Sequence, residues 1–87
     1  MIGKGLALGI LHKYNDALVY FDKALSIDAN NVNALIGKGT TLGSLQRYSE
    51  ALTYFDKALI INPNDPVALE GKRVSLMAKD LATTGRD

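Results

Sequence analysis

Cysteine is absent from the 87 residues, which excludes disulfide stapling and thiolate chemistry. That absence fits any compartment, because a cytosolic helical protein needs neither disulfides nor thiolates, so the redox compartment stays open; the cytoplasm is the location expected. Charge of one sign is missing too. Ten Lys and Arg against nine Asp and Glu leave a formal net charge of +1, too little to gather nucleic acid or an anionic membrane surface by long-range attraction. No apolar run approaches the roughly 20 residues needed to span a bilayer. Histidine occurs once, at His12, and no Ser/His/Asp or Cys/His set can be assembled without it. Neither catalysis nor a cofactor is expected. A hydrophobic share of 47% beside a charged share of 22% is nonetheless that of an ordinary folded chain.

What the chain has is a repeat. Displaced by 34 residues, it matches itself at Ile2, Gly3, Lys4, Gly5, Leu8, Gly9, Leu11, Tyr14, Ala17, Leu18, Tyr20, Phe21, Asp22, Lys23, Ala24, Leu25, Ile27 and Asn30. Self-similarity at such a period marks a stack of supersecondary units. Within each unit the apolar residues keep helical rather than alternating spacing, as in Leu35, Gly39, Leu42, Leu45 and in Ala51, Leu52, Phe55, Ala58, Leu59. The apolar opening Met1 to Leu11 returns as Leu35 to Leu45, so it belongs to the fold and is not a signal peptide.

The spacing predicts an all-α chain of five helices, near residues 1–12, 15–28, 32–45, 49–61 and 66–82. Asn15 and Ser49 are expected to cap the second helix of each hairpin, and Pro66 suits a first helical position. Gly39 opposite Ala51, like Gly5 opposite Ala17, is expected to let two axes approach, with Tyr14, Phe21, Tyr48 and Phe55 filling the space around that contact as core. A single domain spans 1–87, with units at about 1–31 and 32–65 and a partial unit or capping helix at about 66–84. In the last, Ala68, Leu69, Gly71, Lys72 and Leu76 keep the pattern, whereas Arg73 stands where the packing glycine would be and Ala82 and Gly85 replace Tyr and Ala. A solvated charge suits the end of a stack. The first unit joins the 34-residue frame about three residues late, which points to a segment of a longer array.

Several motifs have plainer readings than their chemistry suggests. Gly37, Lys38, Gly39 and Thr40 resemble part of a phosphate loop, but the spacing is wrong and the run lies mid-helix in the repeat frame. His12 is expected in a solvated turn. Asp16, Asp22, Glu50 and Asp56 recur by repeat instead of converging as a catalytic pair. Lys4, Lys38 and Lys72 recur at one phase and are read as aliphatic stems over apolar surface with solvated tips, in preference to a basic ladder for an acidic partner.

The set Leu35, Gly39, Leu42, Tyr48, Ala51, Phe55, Ala58 and Pro63 resembles the tetratricopeptide repeat, whose 34-residue pattern wants bulky, small, aromatic, Ala, aromatic, Ala and Pro at fixed offsets. The departures are Leu35 for Trp, Lys38 for Leu and Ala29 for Pro. The resemblance implies tandem antiparallel hairpins in a right-handed α-solenoid that binds proteins. It implies a concave groove lined by Ile2, Leu6, Gly9 and Ile10, then Asn33, Ile36, Thr40, Gly43 and Ser44, then Val67, Glu70, Val74 and Met77. Such a groove, mostly small and apolar, would receive an apolar peptide or helix of another protein. The clamp by which some members grip chaperone-tail carboxylates is missing, because its positions read Ile2, Leu6, Gly37, Val67 and Gly71. The alternative is self-assembly, by end-to-end stacking or by exchange of a helix between copies.

Overall fold

Local signals at the unit boundaries set the course of the chain. Asn31 caps one helix, its side-chain oxygen accepting from the Ala34 amide at 3.1 Å. Its counterpart 34 residues on, Asp65, accepts from the amides of Val67 and Ala68 at 2.9 and 3.1 Å, just ahead of Pro66. Each oxygen satisfies amides that a helix start leaves without partners. The preceding turns repeat as well. Asn31 N–H donates to the Asp28 carbonyl and Asp65 N–H to that of Asn62. Where the first turn has Ala29 instead of proline, the Asp28 carboxylate accepts from the Asn30 amide at 3.0 Å and holds the bend.

The computed structural model describes residues 2–84, with side chains from 13 to 81. It contains four helices: α1 (Ile2–Ile27), α2 (Val32–Ser44), α3 (Tyr48–Ile61) and α4 (Pro66–Thr84). Successive helices pack in antiparallel pairs, and α2 also touches α4. The body is a slab of 43 × 33 × 17 Å. No described helix is long and apolar enough to cross a membrane.

Five helices were expected, and the first two are one. α1 runs unbroken through the expected turn, so His12 lies inside a helix and Asn15 caps nothing. The corresponding place in the second unit shows why. There Leu45, Gln46 and Arg47 close α2 with paired bonds, Gln46 N–H to the Gly43 carbonyl at 3.0 Å and Arg47 N–H to that of Leu42 at 2.9 Å. This Schellman closure puts Gln46 at φ 65°, a left-handed conformation that costs a non-glycine residue about 1–2 kcal/mol. The turn is held by α2 packing back on α3. Nothing in Leu11, His12 and Lys13 forbids helix, for the stretch has no glycine and no proline.

Two further expectations are corrected. α3 begins at Tyr48 with Arg47 in the cap position and no side-chain cap bond, so Ser49 lies within its first turn. Gly5 cannot face Ala17, because twelve residues of one helix separate them by about 18 Å.

The core gathers Leu35, Ile36, Leu42, Ala51, Phe55, Ala58 and Ala68, with Leu18, Leu25, Val32, Tyr54 and Leu59 against it. Phe55, 2% exposed, is its centre. The position a Cβ would take at Gly39 lies 3.0–3.1 Å from the Phe55 ring, and a Cβ at Gly71 would overlap that ring outright. The missing side chain at 39 therefore receives an aromatic ring, where the sequence pointed to Ala51. One unit earlier Phe21 seats against Gly37 in the way that Phe55 seats against Gly71. Phe21 and Phe55 are thus the knobs by which each unit grips the first helix of the next.

Candidate functional site

Between α2 and α4, with α3 as floor, lies a cleft of about 610 Å³. α2 contributes Gly39, Thr40, Gly43 and Ser44; α3 contributes Tyr48 and Phe55; α4 contributes Pro66, Val67, Glu70, Gly71, Val74, Ser75 and Ala78. The glycines open it. Phe55 reaches the floor between Gly39 and Gly71, while Val67 and Val74, seven residues apart on one helical face, form a wall half open to solvent. The surface is predominantly apolar. Its one charged lining residue, Glu70, is paired with Arg73 one turn on, whose Nε donates at 3.1 Å. The hydrogen bond from Arg73 holds the Glu70 carboxyl below its ordinary range, and the same contact raises Arg73.

Of the expected groove residues, the cleft brings together Thr40, Gly43, Ser44, Val67, Glu70 and Val74. Asn33 is exposed outside it, and Met77, on the same α4 stripe, receives a hydrogen bond at its sulfur from Arg73. Ile36 is 9% exposed and belongs to the core. The side chains of Ile2, Leu6, Gly9 and Ile10 lie outside the described residues. Sequence reasoning did not assign Tyr48, Pro66, Gly71, Ser75 and Ala78 to the cleft. Tyr48 was placed in the core by its spacing, yet it is half-buried on the rim. Gly71 carried a usable signal, since it repeats Gly37 and therefore had to face the aromatic residue that repeats Phe21.

A second, shallower depression of about 290 Å³ lies among Asp22, Leu25, Ser26, Ala29, Leu35, Lys38, Tyr54 and Lys57. Its charges are spoken for. Lys38 is bonded to Asp22 and sits 4.5 Å from the centre of the Tyr54 ring, which Lys57 also approaches at 4.9 Å. Burial works to lower the Lys38 pKa, but the hydrogen bonds to Asp22 and Tyr54 outweigh it, and the value is raised. Lys72 pairs with Asp56 at 2.8 Å, repeating the contact one unit on. Lys38 and Lys72 are therefore partners of Asp22 and Asp56 across unit boundaries, while the side chain of Lys4 lies outside the described residues. Gly37, Lys38 and Gly39 lie mid-helix in α2, where the glycines receive rings and the lysine an ion pair. Among the described residues no three His, Cys, Asp or Glu side chains gather closely enough to hold a metal ion.

No curated protein matches the chain at a significant level. Two family models do match it, each described as tetratricopeptide repeat, one over residues 1–31 and the other over residues 32–65. The family is typically non-catalytic and its repeats form protein–protein interaction modules. With antiparallel helix pairs, an aromatic of each unit seated on a glycine of the next, and both units matched, the chain belongs to the tetratricopeptide repeat family.

Proposed function

We propose that residues 1–87 form one protein-binding domain whose cleft between α2 and α4 receives an apolar helix or extended peptide from a cytoplasmic partner. In this reading the units at about 1–31 and 32–65 continue a right-handed superhelix, and α4 caps it with Arg73 turned to solvent. The observation that carries the proposal is the cleft itself. An opening of about 610 Å³ exposes Val67 and Val74 beside the small residues Gly43 and Ser44, which suits the insertion of apolar side chains from one face of a helix. Thr40, Glu70 and Met77 border that stripe and would meet the polar edge of the occupant.

Val67 and Val74 are 57% and 50% exposed, so charge there leaves the core alone. A displayed library of random peptides selected on the wild-type chain is expected to enrich sequences with apolar residues at helical spacing. Their affinity for the double variant Val67→Asp, Val74→Asp should fall about tenfold or more, since each buried valine contributes about 1.5–3 kcal/mol, while its circular dichroism stays unchanged. Equal binding to both chains would remove the cleft as the site. Ile36 is unsuited to this test, because a buried aspartate there would disrupt the fold.

A further inference from the structure

The first and last helices of the stack carry the two halves of one interface. Within the second unit, Leu35 and Leu42 of α2 are buried in one cluster with Ala51, Phe55 and Ala58 of α3. Their counterparts on α4, Leu69 and Leu76, are 48% and 44% exposed. Ala68, Gly71 and Ser75 face the two helices that α4 touches, α3 and α2, and the two leucines lie round the helix from them. On α1 the complementary half is open. Ala17, Phe21 and Ala24, which match Ala51, Phe55 and Ala58, have α2 against them and are only partly buried. Among the described residues α1 and α4 do not touch each other, so each half lies free at its own end.

The register in which these halves would meet is that of α2 on α3. There Gly39 faces Phe55, and Lys38, while bonded to Asp22, lies 4.5 Å from the centre of the Tyr54 ring. Carried over to α4 of one copy and α1 of another, the register sets Leu69 and Leu76 against Ala24 and Ala17. It also sets Lys72, already paired with Asp56, against the exposed Tyr20, and position 73 against Phe21. Every one of these residues is identical in the two settings except one, Gly39, whose counterpart is Arg73. At Gly39 a Cβ alone would lie 3.0–3.1 Å from the ring. Arg73 brings a whole side chain to that place, and its guanidinium is paired with Glu70 in solvent. Stacking would press this arm into Phe21 and take its charge out of water, and both are costly.

We infer that Arg73 is the residue that keeps copies of this chain from joining end to end, by blocking an otherwise complete contact between α4 of one copy and α1 of the next. The contact is heterologous, so without the block it repeats from copy to copy and builds rings or filaments that continue the stack. The inference does not rest on the cleft, whose Val67 and Val74 occupy the opposite face of α4.

The test uses the 87-residue chain with Arg73→Gly, which restores the residue found at Gly39, and with Arg73→Ala, the better helix former. Light scattering coupled to gel filtration over a hundredfold concentration range is expected to give the wild-type chain one mass throughout. Arg73→Gly should give a mass that climbs with concentration, about threefold or more. Arg73→Ala should climb less steeply, because its Cβ presses on the Phe21 ring, and its assembly cannot come from a loosened helix. Circular dichroism should show native helicity in both. Arg73→Lys should behave as the wild type. Adding Leu76→Asp to Arg73→Gly should abolish the rise, whereas adding Val67→Asp and Val74→Asp should leave it. The inference is overturned by a wild-type mass that itself climbs with concentration, or by an unchanging mass in both Arg73→Gly and Arg73→Ala. Assembly that survives Leu76→Asp would overturn it too, since the contact would then lie elsewhere.

Discussion

At the scale of single residues, the glycines differ according to what lies over them. Gly71 and Gly37 each have an aromatic ring where a Cβ would be, but the two rings differ in freedom. Phe55 is 2% exposed and held between Gly39 and Gly71, whereas Phe21 is only partly buried and can shift. Gly43 has nothing nearer than the Ser75 hydroxyl at 4.0 Å. Gly71→Ala should therefore destabilise the chain by about 1–3 kcal/mol, as overpacking does. Gly37→Ala should cost less. Gly43→Ala should be neutral or stabilising by up to about 1 kcal/mol, because alanine is the better helix former. Urea denaturation of the three variants checks the order, and a Gly43→Ala variant less stable than Gly71→Ala would refute the assignment. The phase of the repeat made these glycines visible as packing sites in the sequence. It did not say which residue fills the space at Gly39, because Ala51 and Phe55 lie one turn apart on the same face of α3 and periodicity cannot separate them.

At the scale of helices, the ends decide the architecture. Asp65 holds two amides of α4, so Asp65→Ala should lower stability by about 1 kcal/mol. Gln46→Gly should raise it by about the same amount, since glycine takes a φ of 65° without steric penalty. The gain is smaller than the full strain because glycine also loosens the unfolded chain. Thermal melts of both variants read the two signs directly. The helical positions in α2, α3 and α4 were legible in the sequence, as was the start of α4 at Pro66; the cap at Asn31 was not, since Asn15 and Ser49 drew the capping expectation instead. The break between the first two helices was not. Gln46 and His12 occupy the same place in the repeat and neither is a turn former, so the bend at Gln46 comes from packing, which a local signal does not record. The six cleft residues legible in the sequence came through the family resemblance. Ile36 was misplaced because a helix of this stack is buried on more than one side, and its position in the frame does not tell groove from core.

At the scale of the whole molecule, units are joined by the two aromatic knobs and by a ladder of ion pairs, Asp22 with Lys38 and Asp56 with Lys72. The rungs differ in depth. The Lys38 side chain is 17% exposed and lies over Tyr54, whereas that of Lys72 is 42% exposed. An exposed pair of the second kind contributes about 0–1 kcal/mol and weakens with salt, so Lys72→Met should have little effect in 1 M NaCl. Lys38→Met should remain destabilising there, because salt screens a sheltered pair less. The pH dependence has a definite sign. The folded pKa of Lys38 is raised above the ordinary lysine value of 10.5, chiefly by its bonds to Asp22 and Tyr54 against the opposing effect of burial. The protonated lysine is therefore held more tightly by the folded chain. Its stabilisation is complete below the unfolded value and is lost as pH rises through the folded one. The difference in stability between the wild-type chain and Lys38→Met should thus stay level from pH 7 to about 10 and shrink above that. Denaturation curves taken across this range, with Lys72→Met beside them, measure the difference; one that stayed level above about pH 10 would mean that Lys38 is held in the fold by its aliphatic stem and not by its charge, and one that grew would mean that burial of the charge outweighs its partners.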